Sequence, residues 1–184
     1  YGRSFAKYYK ANARAGVNWS KFNNIRVFPD SDSDPNNNPT KIQTTESVSQ
    51  SYGLSFSTNY KTLPNLTLGY NFSVNDNFSD VIYVDSPTVT LEYFFLDAFS
   101  FVSEYSYYHN RNKSNTIDSE YDFLTASLMY QKKDSKWEWK LSGTNLLDTK
   151  SLDTNSFSQL GGTSTFSSYR VQPRFVILSL KYRL

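Results

Sequence analysis

Cysteine is absent from the 184 residues, which excludes disulfides and thiolate chemistry. Histidine occurs once, at His109 near a predicted strand end, which excludes a multi-histidine metal site within the chain, and at that position no His-based triad is expected. No run approaches the roughly 18 apolar residues of a membrane-spanning helix, the longest being short stretches at residues 94–96 and 175–178. A formal net charge of +2 gives no strong attraction to nucleic acid or to an acidic membrane surface. No phosphate-binding glycine motif is present, and Gly161-Gly162 is expected to be a flexible turn.

What the chain does have is aromatic and polar residues together. Aromatics make up 17% of it, with 15 Tyr and 14 Phe, yet the mean hydropathy is −0.58 and Asn, Ser and Thr abound. A soluble core of this size would draw more on Leu, Ile, Val and Ala, whereas an outer-membrane barrel divides its surface among an apolar belt, aromatic girdles and a polar lumen. The last eleven residues show the pattern best: Val176, Leu178, Leu180, Tyr182 and Leu184 share one face, and Phe175, Ile177, Ser179, Lys181 and Arg183 the other. A tilted strand of about ten residues crosses a bilayer with only alternate positions apolar, so an averaged hydropathy profile misses it.

The same alternation recurs upstream. It predicts strands over residues 9–19, 51–60, 65–74, 88–95, 99–107, 124–131 and 136–141, with Val102 and Ser103 blurring the fifth of these. Long polar loops are expected at residues 21–47, 75–87, 110–119 and 146–171, and short turns at 61–64, near Asp97 and at 132–135. Outer-membrane barrels have short periplasmic turns and long extracellular loops, so this rhythm orients the sheet with both chain ends in the periplasm. Tyr9, Tyr60, Phe95, Phe99, Tyr130, Trp137, Trp139 and Tyr182 then fall near the periplasmic rim, and Trp19, Tyr52, Phe72 and Tyr107 near the outer one, as two interfacial girdles. The competing reading is a soluble antiparallel sandwich, which also has strands with one apolar face.

The fold expected is therefore all-β, an antiparallel transmembrane β-barrel with about eight strands in this chain. An eight-stranded barrel is just wide enough to be filled by side chains, but the inward sets here are small: Ser51, Gly53, Ser55 and Ser57 on one strand, Thr67, Gly69, Asn71 and Ser73 on the next. Such walls suit a wide, wet lumen, which favours a piece of a larger barrel. The chain begins at Tyr1 with neither an initiating Met nor a signal peptide, so either a leader or a larger part of the protein is expected upstream.

Trp139-Lys-Leu-Ser-Gly-Thr-Asn-Leu-Leu-Asp148, a Ser/Thr-rich loop, and Tyr169-Arg-Val-Gln-Pro-Arg-Phe-Val-Ile-Leu-Ser-Leu-Lys-Tyr-Arg-Leu184 together resemble the close of a TonB-dependent receptor of the outer-membrane-protein β-barrel family. The Gly143-Thr-Asn-Leu-Leu147 and Gln172-Pro-Arg174 elements carry the resemblance, which upstream is one of strand rhythm only. The terminal strand also resembles the signal read by the barrel-assembly machinery, although Leu184 stands where Phe is usual. The resemblance implies that residues 1–184 are the C-terminal portion of a barrel of about 22 strands, with the plug domain and N-terminal strands absent. It implies active, TonB-dependent uptake of a nutrient such as a siderophore, cobalamin, a peptide or an oligosaccharide, across the outer membrane of a Gram-negative bacterium. The partners implied are the lipid bilayer and lipopolysaccharide, the N-terminal barrel and plug of the same receptor, TonB through that plug, and a surface-exposed lipoprotein or other envelope proteins, with no nucleic acid. The alternatives are a small structural or adhesive eight-stranded barrel and a receptor-like component of a larger envelope complex.

No catalytic, cofactor or metal site is expected, and the chain is expected not to be an enzyme. His109 reads as a solvated loop-edge residue. Asp30-Ser-Asp-Ser-Asp34 begins like a calcium loop, but Pro35 stands where the turn needs Gly and Lys41 where a closing carboxylate is required, so a solvated loop is expected. The lumen charges are Arg14, Glu92, Glu104, Lys136, Glu138, Lys140, Lys181 and Arg183, several near the periplasmic rim, where they solvate the edge or meet a plug. The Asn65-Leu-Thr67 and Asn71-Phe-Ser73 sequons fall on strands.

Overall fold

The computed structural model describes residues 2–5, 7–27, 40–76, 80–158 and 163–183. Among them are eleven strands: β1 (Gly2–Phe5), β2 (Tyr9–Val27), β3 (Thr40–Thr58), β4 (Asn65–Asp76), β5 (Val81–Phe95), β6 (Phe99–Asn112), β7 (Asp118–Gln131), β8 (Trp137–Thr144), β9 (Ser151–Ser158), β10 (Thr163–Arg170) and β11 (Phe175–Tyr182). Nine form one sheet in the order β1-β2-β3-β4-β5-β6-β7-β8-β11, while β9 and β10 make a separate hairpin. Every ladder is antiparallel.

Register gathers the alternating sets into two continuous faces. Leu128 sits between Phe101 and Leu141, and Leu141 pairs with Leu178, so one row of apolar side chains crosses four strands. On the opposite face Gly53 lies between Arg14 and Asn71, and Gly69 between Ser55 and Thr88. The blurred strand resolves the same way: Phe101, Ser103 and Tyr105 stand beside Leu128, Ala126 and Leu124 on the apolar face. The apolar stretch of β5 covers residues 87–95, roughly 27 Å along the strand and about 21 Å along the membrane normal at a ~40° tilt, close to a barrel's apolar band.

Among the described residues no apolar side chain is buried, whereas Ser47, Asn110, Asn112, Glu138 and Asn145 are. A soluble sandwich would hide its Leu and Trp ranks between two sheets; here Trp19 and Leu178 are each 60% exposed. The sandwich reading is thereby excluded, and the burial pattern fits a wall whose apolar side meets lipid.

Aromatic rings mark the short-turn end of that wall. Tyr93 stacks on Phe95, Phe95 on Phe99, Phe99 tilts on Tyr130, and Tyr130 stacks on Trp139, with successive centroids 5.2, 5.3, 5.1 and 5.9 Å apart. Trp137 and Tyr182 extend the series, 4.8 Å apart, and Tyr9 and Tyr60 meet through their hydroxyls at 2.6 Å. The turn beside Phe95 has Leu96 and Asp97 both at φ 52°, the left-handed pair of a hairpin whose twist matches its strands.

The sequence reading is corrected at one strand and four loops. β1 was not foreseen; it is short and pairs β2, which follows a turn at residues 7–8. The loops expected at 21–47 and 75–87 are largely strand, since β2 and β3 pair out to Val27 and Thr40, and β5 runs through Asp85-Ser86-Pro87. Pro87 is tolerated because the β6 register is interrupted opposite it, so no ladder bond needs its missing N–H. The loop expected at 110–119 shrinks to residues 113–117, and the one at 146–171 carries the β9–β10 hairpin. The described strands form an open sheet with β1 and β11 as its two edges and do not themselves close a ring.

Candidate functional site: the polar face and its rims

On the polar face, Arg14 of β2 lies across Gly53 of β3. A Cβ at Gly53 would fall 2.8 Å from Arg14 Cγ, so only glycine lets the side chain lie flat there. Arg14 Nη2 donates to Asn71 Oδ1 of β4 at 2.6 Å, which holds the guanidinium two strands from its own backbone. Beside it Asn12 Nδ2 donates to Ser55 Oγ at 3.1 Å. Two open cavities of about 360 and 340 Å³ flank the arginine, and both are lined by Arg14 and Asn71. Ser55, Gly69 and Thr88 floor the first, and Ser51, Ser73 and Ser86 the second. Neither lining includes a carboxylate.

Of the other charges expected on this face, the structure gathers three at the short-turn end. Glu138 of β8, its side chain 10% exposed, accepts a bond from Gln131 Nε2 at 3.0 Å and is paired by Arg183, with Lys181 Nζ 3.7 Å from its second oxygen. Glu92 and Glu104 stay exposed on β5 and β6, and Arg14 stands apart from both groups.

At the opposite end the apolar face turns polar. Asp85 Oδ2 accepts from Arg111 Nη1 at 2.8 Å, Arg111 lies 3.0 Å from His109 Nδ1, and His109 Nε2 lies 2.6 Å from Asp118 Oδ1. Tyr70 donates to Asp85 at 2.5 Å and Tyr107 to Glu120 at 2.8 Å, so interfacial phenols point toward the charged rim. His109 is therefore not a solvated loop-edge residue: its side chain is 21% exposed and held between Arg111 and Asp118. Sequence reasoning missed this because Asp85 and Asp118 come from strand neighbours that register alone brings together.

Two loop-end constellations complete the picture. Asp80 accepts bonds from Ser114 and, at 2.6 Å, from Asn112 Nδ2. The Ser114 hydroxyl first, then the backbone N–H groups of Val81 and Ser114 and the Asn112 amide, hold its carboxyl below the ordinary value of 3.8 against the opposing pull of desolvation. Asn145, buried at φ 51°, donates to the carbonyls of Thr149 and Gln172, each at 2.9 Å, and accepts from Thr149 N at 2.9 Å. Gly143 leaves space for Leu146, whose side chain a Cβ there would meet at 2.6 Å. The Asp30 to Asp34 stretch and Gly161-Gly162 lie outside the described residues. Asn65 and Asn71 of the sequons are on β4 as expected.

No protein-family model matches the chain, and no curated protein matches it. Its fold is similar to the solved structure of in-vitro folded OmpT, an outer membrane protein of Vibrio cholerae, with a TM-score of 0.55 at 13% identity. The match covers 99% of this chain and 53% of OmpT, so the chain spans about half that protein's length. The fold is thus that of an outer-membrane β-barrel wall.

The expectation that the chain is not an enzyme is corrected here. It rested on a missing cluster of acid, base and nucleophile, and of these the folded wall does bring acid and base groups together, in the contacts among Asp85, Arg111, His109 and Asp118. The likeness to OmpT shares a fold and a fold hosts many activities, so it gives no ground for excluding catalysis.

Proposed function

We propose that this chain is the C-terminal barrel portion of a TonB-dependent transporter in the outer membrane of a Gram-negative bacterium. The observation that carries the reading is strand direction. Because all eight ladders of the nine-stranded sheet are antiparallel, β1 and β11 run the same way. Joining them directly would make a parallel seam, so an antiparallel ring needs an odd number of further strands and an even total. Unpaired edges are costly in hydrocarbon, where no water satisfies the backbone. The small polar lumen face supports the same conclusion, since it leaves a narrow barrel unfilled.

In this reading β1 and β11 meet the N-terminal strands of the same receptor, the apolar face meets lipid and lipopolysaccharide, and the polar face meets a plug. The resemblance at the Gly143 and Gln172 elements supplies the TonB step: substrate bound outside favours TonB engagement inside, and proton-motive force moves the plug. Uptake by cells expressing the full-length protein is the test. Uptake unchanged by deleting TonB overturns the reading.

The second reading, a small eight-stranded barrel, has one observation in its favour: β2 and β11 run in opposite directions, so a ring could close between them if β1 left the edge of β2. Cysteines introduced as Ala13→Cys and Leu178→Cys distinguish the two, because oxidative cross-linking within one chain occurs only in the small ring.

A further inference from the structure

We propose that the Arg14 groove binds the oxyanion of a passing solute, a carboxylate or a phosphate; this rests on the transport reading and adds a substrate class to it. Three observations carry the inference. Arg14 is laid flat over Gly53 and anchored by one bond to Asn71, so its fork is held in place before any ligand arrives. That bond uses Nη2 and leaves the Nη1 and Nε donors for the groove. Asn71 accepts with Oδ1 and lines both cavities beside the arginine, so that bond leaves its amide N–H pair unused.

The surroundings suit an anion. The cavities on both sides of the guanidinium hold one cation and no carboxylate, and Ser51, Ser73, Ser86 and Thr88 present hydroxyls able to donate. A planar guanidinium matches carboxylate and phosphate geometry with two parallel bonds, where lysine would act only as a point charge. Glycine at position 53 is what makes the arrangement possible, because a side chain there would lift the arginine from the wall. Both cavities are open, so an anion would bind weakly enough to leave again, as a passage site requires.

The test is calorimetric titration of citrate, inorganic phosphate and glucose into the purified full-length protein in detergent, for the native sequence, Arg14→Gln and Arg14→Lys. Heat-modifiable migration on gels verifies that each variant is folded. Citrate and phosphate are expected to bind where glucose does not, Arg14→Gln weakening them at least about tenfold and Arg14→Lys less. A stronger effect on citrate than on phosphate would assign the site to carboxylates, and the reverse to phosphates. Anion binding indifferent to Arg14→Gln, or no stronger than that of glucose, overturns the proposal. The assay contains no TonB, so its failure leaves the energy-coupling reading intact, and TonB-independent uptake would leave this site intact.

Discussion

The Asn145 side-chain amide donates to the main-chain carbonyl of Gln172 across 2.9 Å, tying the end of β8 to the segment that opens β11. These are the two elements on which the family resemblance rests, separated by the β9–β10 hairpin and joined in space by one buried side chain. The same residue closes the turn on Thr149, whose hydroxyl bonds the Asp122 carbonyl of β7, so three strands converge there. Asn145→Ala would strand the Thr149 N–H and the Gln172 carbonyl. We expect it to lower stability by roughly 1–3 kcal/mol, seen as a lower urea midpoint with the slope unchanged.

Leu178 and Ser179 are neighbours on β11 that face opposite ways. Leu178→Arg places a charge against hydrocarbon and is expected to cost roughly 2–4 kcal/mol, whereas Ser179→Arg faces water and is expected to cost under about 1 kcal/mol. Equilibrium unfolding from lipid vesicles measures both. Equal costs would contradict the facing of the whole sheet.

Glu138 is nearly buried while its partners Arg183 and Lys181 are 53% and 69% exposed. Glu138→Ala should therefore cost about 1–2 kcal/mol, less than a fully buried pair because solvent reaches both cations. Lys181→Ala, at 3.7 Å, should cost under about 0.5 kcal/mol, and denaturant titration of the two variants checks the order.

Folding lowers the Asp80 carboxyl below 3.8, so the unfolded chain binds that proton more readily than the folded one. The contribution to stability is complete above 3.8 and is lost as pH falls through the lower folded value. Thr116 and Ile117 donate their backbone N–H groups to Asn112, which Asp80 holds, so their amide exchange, corrected for intrinsic rate, should accelerate in that acid range. Asp80→Asn should remove the dependence.

Strand facing was legible because period-two alternation is a local property: Tyr52, Leu54 and Phe56 against Ser51, Gly53 and Ser55 need no tertiary knowledge. The loops were misjudged for the same reason. Asn, Asp, Ser and Pro at residues 21–47 and 85–87 resemble turn chemistry, yet above the apolar belt a strand needs no continuous apolar side to keep its ladder, and β2 and β3 stay paired through a mostly polar stretch in which Ile25 faces Ile42. His109 went astray through its partners, since Asp85 and Asp118 meet it only through the β5–β6–β7 register.

Taken by itself, the order of residues determined that this is a wall with one apolar and one polar side, ringed by aromatics, because side-chain alternation follows from backbone geometry within a strand. Only the tertiary structure decided that the sheet stays open with its two edges running the same way, that Arg14 reaches Asn71 across Gly53, and that Asn145 holds Gln172. Those are outcomes of pairing between residues far apart in the chain, and pairing depends on register and direction, which no local pattern encodes.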